Sequence, residues 1–142
     1  KNKDYLGKIL AEPMVKFIEE YDFPINHLDC IIPMPLHSTK IRQREFNQAE
    51  ILSREISRAF KKEADCNTLI RSRFTRSQTE LSSEQRLYNA KNSFKITSKE
   101  AIDNKNVLLI DDVLTSGSTA SEAALALKNS GAKIVFVLTL AS

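Results

Sequence analysis

The chain has 142 residues, which suits one domain spanning 1–142 around a single core. Apolar residues make up 42% and charged residues 27%, an ordinary balance for a soluble globular protein. The net charge of +3 and pI near 8.9 admit an anionic partner without identifying one. No stretch approaches the roughly 20 apolar residues that cross a bilayer, so membrane insertion is not expected. No basic-then-apolar leader is visible, and the sequence opens on Lys1, which leaves room for a natural amino-terminal segment before it. Cys30 and Cys66 form no CxxC pair. Cys30 stands in an apolar run and reads as a small core residue, and free thiols suit a cytoplasmic protein.

In chain order, Pro13, Met14, Phe17, Ile18 and Tyr21 predict an amphipathic helix with Pro near its first turn. Leu28–Met34 reads as a buried strand interrupted by Pro33 and Pro35. Asn47 and Glu50 have capping-box spacing, and Phe46, Ala49, Leu52, Ile56, Ala59 and Phe60 recur on one helical face, with Phe46 in the core. Asn67–Ile70 predicts a short strand, Arg71–Thr79 a polar basic loop, Ser82–Ala90 a short helix, and Ser93–Thr97 another strand. Val107–Ile110 is a continuous apolar run, as a strand buried on both faces requires. A polar turn is expected from Asp111 to Ser118, a helix over Thr119–Asn129, Gly131 as its left-handed terminator, and a second buried strand over Ile134–Leu140. Strand, loop, helix and strand in succession imply parallel strands with a right-handed crossover. The whole reads as a doubly wound α/β domain, a mostly parallel sheet flanked by helices, with ligands at the carboxyl ends of its strands.

The segment Val107–Thr119 carries the chemistry. Asp111 and Asp112 stand together at the end of a buried strand, where adjacent like charges are costly unless hydroxyl donors, a metal through water or backbone amides compensate. Thr115-Ser116-Gly117-Ser118-Thr119 follows directly and leads into a helix. Small hydroxyl residues and one Gly let amides converge, and the helix start favours an anion. A phosphate pocket beside hydroxyl-accepting carboxylates suits a ribose 5-phosphate. Taken singly, the carboxylates are surface residues and Ser118 or Thr119 a helix cap. Together, all thirteen positions fit the signature of type I phosphoribosyltransferases that bind phosphoribosyl pyrophosphate (PRPP), and the segment resembles that family. No Lys follows Gly117 as a P-loop requires, and an acid pair this late in the chain does not suit a receiver domain.

The resemblance extends further. Ile32-Pro33-Met34-Pro35-Leu36-His37, then Arg42-Gln43-Arg44-Glu45-Phe46-Asn47-Gln48-Ala49-Glu50, then Leu69-Ile70-Arg71-Ser72-Arg73 with Thr75, Gln78, Leu81, Arg86, Asn89 and Phe94, is similar to the ComF competence proteins in order and over most of the chain. Glu45 departs from it, since the family usually has Gly there. The resemblance implies a type I phosphoribosyltransferase-like fold with a minimal or absent hood, Mg²⁺ with PRPP as cofactor, and a place in DNA uptake during natural transformation. Many members carry a four-cysteine zinc module before this domain, which these residues do not hold.

Position by position, the resemblance makes Asp111, Asp112, Val113, Leu114, Thr115, Ser116, Gly117, Ser118 and Thr119 the PRPP loop, with Asp111 and Asp112 touching Mg²⁺ through water. Pro35, Leu36, His37, Lys40, Arg42 and Arg44 would form the pyrophosphate loop. Arg71, Arg73, Arg76, Gln78 and Arg86 would belong to a flexible loop closing over PRPP. Asp111, Asp112 and Arg73 take the catalytic positions. Transfer to an unnamed acceptor, a non-catalytic PRPP-binding module, and a single-stranded DNA-binding protein working with other DNA-uptake proteins all stand open. The third has limited stacking capacity, with no Trp and 7% aromatics.

Overall fold

The computed structural model describes residues 2–36, 46–71, 93–114 and 117–141. Its organising element is β5 (Asn106–Val113). Val107, Leu108, Leu109 and Ile110 are all fully buried. Successive side chains of a strand leave opposite faces, so one apolar run feeds two cores. Val107 and Leu109 join Cys30, Ile32 and Met34, whereas Leu108 and Ile110 join Leu28 and Ile31.

β5 pairs in parallel with β1 (Cys30–Pro33) and β6 (Ile134–Ala141), and β1 pairs in parallel with the short β2 (Glu63–Ala64). The sheet order is β2-β1-β5-β6. The first core is closed by α3 (Ser118–Asn129), through Ala120, Ala123 and Leu127, and by an antiparallel pair, β3 (Leu69–Arg71) and β4 (Phe94–Ile96). The second is closed by α1 (Asn2–Glu20) and α2 (Gln48–Phe60). The expected sheet, mostly parallel and flanked by helices on both faces, is the observed one.

Several boundaries differ, each for a physical reason. α1 begins at Asn2, and Pro13 lies in its interior rather than its first turn. Pro13 and Ile9 are both exposed, so water can take the Ile9 carbonyl that the ring deprives of a donor. The stripe that buries α1 is Gly7, Ala11, Met14 and Ile18, and its glycine gives no apolar signal. Only half of the expected capping box forms. The Asn47 side chain accepts from Ala49 N at 3.0 Å, while Glu50 pairs with Arg54 at 2.8 Å. Ala59 is exposed and Phe46 only half-buried. The strand expected to stop at Ile110 continues through both aspartates, because β6 runs beside it as far as Ala141. β6 itself is an edge strand with Ile134 and Val137 exposed, not the second buried strand its composition suggests. Gly131 has φ 113, with Ala132 N donating to Leu127 O and Gly131 N to Lys128 O at 3.1 Å each. These are the two bonds of a Schellman terminator, as expected. The helix expected over Ser82–Ala90 lies outside the described residues.

α1 crosses α2 at Gly7, where an added Cβ would meet Ile51 Cγ2 at 2.6 Å. Ile is stiff in a helix and yields poorly. Gly7→Ala is expected to lower stability by about 1–3 kcal/mol even though Ala is the better helix former. Trimming Ile51 to Ala should remove most of that penalty, so thermal melts of the two single variants and the double should be non-additive. Additive losses would mean that the helices do not depend on this close approach.

Candidate functional site

Parallel strands bring their carboxyl ends to one rim, and the chemistry-bearing residues collect there. A cavity of about 180 Å³ opens at the ends of β1 and β5. Asp111, Asp112, Val113, Leu114, Gly117 and Thr119 line it from the β5–α3 connection, Leu36 from beyond β1, and Arg71 from the end of β3. Ser118 is the first residue of α3. Gly117, at φ 84, stands in the left-handed region open to glycine and is the N-cap, so α3 starts without a side-chain cap from that position. Its first-turn amides are thereby suited to an anion.

The acid pair is held by its own backbone. Asp111 Oδ1 accepts from Asp112 N at 2.8 Å, and Asp112 Oδ1 accepts from Val113 N at 2.9 Å. Burial pushes the Asp111 carboxyl up to about 6, helped by a side-chain hydrogen bond with Asp112 and by that residue's charge, against the opposing pull of the Asp112 amide and of Arg71. Burial in turn lowers the Arg71 guanidinium from its usual value, and Asp111 opposes this. No ion pair joins the two among the described residues. Arg71 stacks over the Phe94 ring at 5.1 Å from its centroid. The sequence placed Arg71 in a loop; it is instead the half-buried last residue of β3.

A second cavity of about 250 Å³ adjoins the first and shares Leu36, Asn47 and Arg71 with it. Pro35 lines this one, with Glu50 and Cys66. Of the remaining expected site residues, Thr115, Ser116, His37, Lys40, Arg42, Arg44, Arg73, Arg76, Gln78 and Arg86 lie outside the described residues. Cys30 is buried, as expected of a core residue, and Cys66 is half-buried. Burial raises Cys30 to about 11 and raises Cys66 as well.

Asn47 and Gln48 also line the first cavity, although the sequence suggested only a helix start for them. Asn47 does two jobs. Its Oδ1 caps α2, and its Nδ2 donates to Met34 O at 3.0 Å, tying α2 to the chain just past β1. The signal available was an Asn in place of the usual Ser or Thr cap, since an amide accepts and donates through two separate atoms and so reaches two partners at once.

The phosphoribosyl transferase domain family matches residues 47–142, more than half of the chain and all of its acid-pair loop. The chain belongs to this family. Within it, the chain is 36% identical over 114 residues to Competence protein F of Haemophilus influenzae, covering 80% of the chain and 50% of that protein. It is 34% identical over 112 residues to the DNA utilization protein YhgH of Escherichia coli, covering 79% and 48%. The match to its Salmonella typhi counterpart is 34% over 135 residues, covering 95% and 58%. The chain thus spans about half the length of the curated relatives it matches. These relatives agree with the resemblance to competence proteins carried by the Phe46-Asn47-Gln48 and Arg71–Arg73 motifs. Among solved structures, the glutamine PRPP amidotransferase of B. subtilis superposes with a TM-score of 0.60 at 18% identity, over 97% of this chain and 26% of that one. An allosteric regulatory enzyme of purine biosynthesis superposes with a TM-score of 0.57 at 20% identity, over 97% and 25%. At such identities the likeness is one of fold, and it is the phosphoribosyl transferase fold.

Two consequences are measurable in this phosphoribosyl transferase domain without any ligand. Asn47→Ala removes the α2 cap, at about 1 kcal/mol, and also the donor to Met34 O. Asn47→Asp keeps the cap acceptor and loses only the donor. Melting temperatures should therefore fall in the order wild type, Asn47→Asp, Asn47→Ala, and equal losses would contradict the double role.

The second consequence concerns Asp111. Its folded-state value of about 6 lies above that of an unfolded aspartate. The folded chain therefore holds an extra proton between about pH 4 and 6, and its stability falls as pH rises through that window. Asp111→Asn should match wild type at the acid end and be the more stable protein above pH 6. Denaturant midpoints across the range test this, and parallel pH profiles for the two proteins would refute it.

Proposed function

We propose that the chain binds PRPP with Mg²⁺ in the cavity at the ends of β1 and β5, as the phosphoribosyl-handling domain of a cytoplasmic protein that serves DNA uptake. The observation carrying this reading is the meeting of Asp111 and Asp112 with the start of α3 in one cavity, in a chain of the phosphoribosyl transferase domain family. The similarity to proteins named for competence and DNA utilization supports the setting. Among the described residues no helix is long and apolar enough to cross a membrane.

In this reading the ribose hydroxyls donate to Asp111 and Asp112. The segment from Thr115 to Thr119, with the first-turn amides of α3, takes the 5-phosphate. Arg71, with Arg73 and Arg76, and Lys40, Arg42 and Arg44 after β1, meet the diphosphate. Among the described residues no three His, Cys, Asp or Glu side chains cluster as a metal cage. Two carboxylates sharing an ion with phosphate oxygens is the arrangement Mg²⁺ commonly accepts, so the acid pair fits it. When bound, Mg²⁺ supplies charge neutralisation to the departing diphosphate. In transfer the C1–O bond to diphosphate breaks while positive charge grows on the ribose, and the chain's contribution is position and electrostatics.

Calorimetry with PRPP and Mg²⁺ tests the reading. Wild type should bind, and Asp111→Asn/Asp112→Asn should lose at least about tenfold in affinity, the scale of one lost charge-assisted contact. Equal affinity in both proteins would overturn it. A screen for pyrophosphate release over bases, nucleotides and DNA then decides whether bound PRPP is consumed.

A further inference from the structure

Arg71 is a half-buried guanidinium without an ion-pair partner among the described residues. Buried charges are ordinarily paired, because taking a charge out of water is costly. The group nearest to compensating it is an aromatic face. Phe94 stands directly across the β3–β4 ladder from Arg71, and its ring lies 5.1 Å from the guanidinium carbon. The ring is itself fixed, being 9% exposed and part of the core formed with β1, β5 and α3. The base of the hairpin is tied by Thr97 N donating to Thr68 O at 2.8 Å. Arg71 thus lies against a buried aromatic surface on the protein side and lines both cavities.

We propose that Phe94 is a positioning residue for the donor's leaving group: its ring holds the Arg71 guanidinium at the wall shared by the two cavities, where it meets the diphosphate. This rests on the PRPP reading above and adds to it a residue that touches no ligand. A planar guanidinium matches phosphate oxygens with two parallel hydrogen bonds, and that match is lost when the plane is free to turn. Arg71 is the only cation among the described residues lining the first cavity. The 5-phosphate end is already assigned to the start of α3, which leaves the diphosphate for Arg71, on a separate element.

The test separates the two ends of the ligand. Affinities for Mg²⁺–PRPP and for ribose 5-phosphate, which lacks the diphosphate, are measured for wild type, Phe94→Leu, Phe94→Met, Arg71→Gln and the Phe94→Leu/Arg71→Gln double variant. Met is included because it fills core space adaptably should Leu fail to fold. Each Phe94 variant should weaken PRPP roughly tenfold, the scale of a desolvated cation–π contact, and leave ribose 5-phosphate within about twofold. In the Arg71→Gln background, Phe94→Leu should add less than about twofold, because the ring acts only through the guanidinium. Unchanged PRPP affinity, equal weakening of both ligands, or an undiminished Phe94 effect without Arg71 would each overturn the inference. If wild type binds ribose 5-phosphate and PRPP and only the Phe94 effect is missing, this inference alone falls. If wild type binds neither, the proposed function falls with it.

Discussion

The burial of β5 on both faces is the constraint from which the site follows. Four consecutive side chains without solvent contact require material on each side, and the chain supplies α1 and α2 to one face and α3 with the β3–β4 hairpin to the other. A strand so enclosed emerges only at its end. The first residues to emerge are Asp111 and Asp112, still hydrogen-bonded within the sheet and only half-exposed. The apolar run therefore places the acid pair at the rim where the cavity opens, and burial there disfavours the charged form of Asp111.

That rim was legible where a signal was local and continuous. The Val107–Ile110 run, the acid pair, the Thr115–Thr119 composition and Gly131 each announce themselves within a few residues, and the sheet, α3 and its terminator appear where those residues put them. Less was legible where the outcome depended on a distant neighbour. The half-exposure of β6 reflects its place at the sheet edge, which its own apolar composition cannot reveal. The extension of β5 through the aspartates depends on the length of β6 beside it. The early start of α1 was hidden because its buried stripe uses Gly7 and Ala11, whose small size serves a close crossing with α2 rather than a hydrophobic pattern.

Asn47 and Arg71 show the same limit within the site. Each has a local role that the sequence announces, a helix cap and a basic residue after a strand. Each also has a role across space. Asn47 joins α2 to the carbonyl of Met34, so the wall of the cavity beyond β1 is set by a hydrogen bond between elements 13 residues apart. Arg71 ends a strand whose partner, Phe94, stands 23 positions later in the chain (94 minus 71). Spacing along the sequence carries no trace of either contact.

The electrostatics of the rim set two strained groups of opposite sign on one cavity. Asp111 is disfavoured as a carboxylate because it is half-buried beside Asp112, and Arg71 is disfavoured as a cation because it is half-buried with no ion-pair partner among the described residues. The two oppose each other's shifts across the cavity but do not close into an ion pair, so neither charge is satisfied at the other's expense. The two groups are instead engaged separately, Asp111 by the Asp112 amide and Arg71 by the Phe94 ring, so their desolvation cost is met in folding.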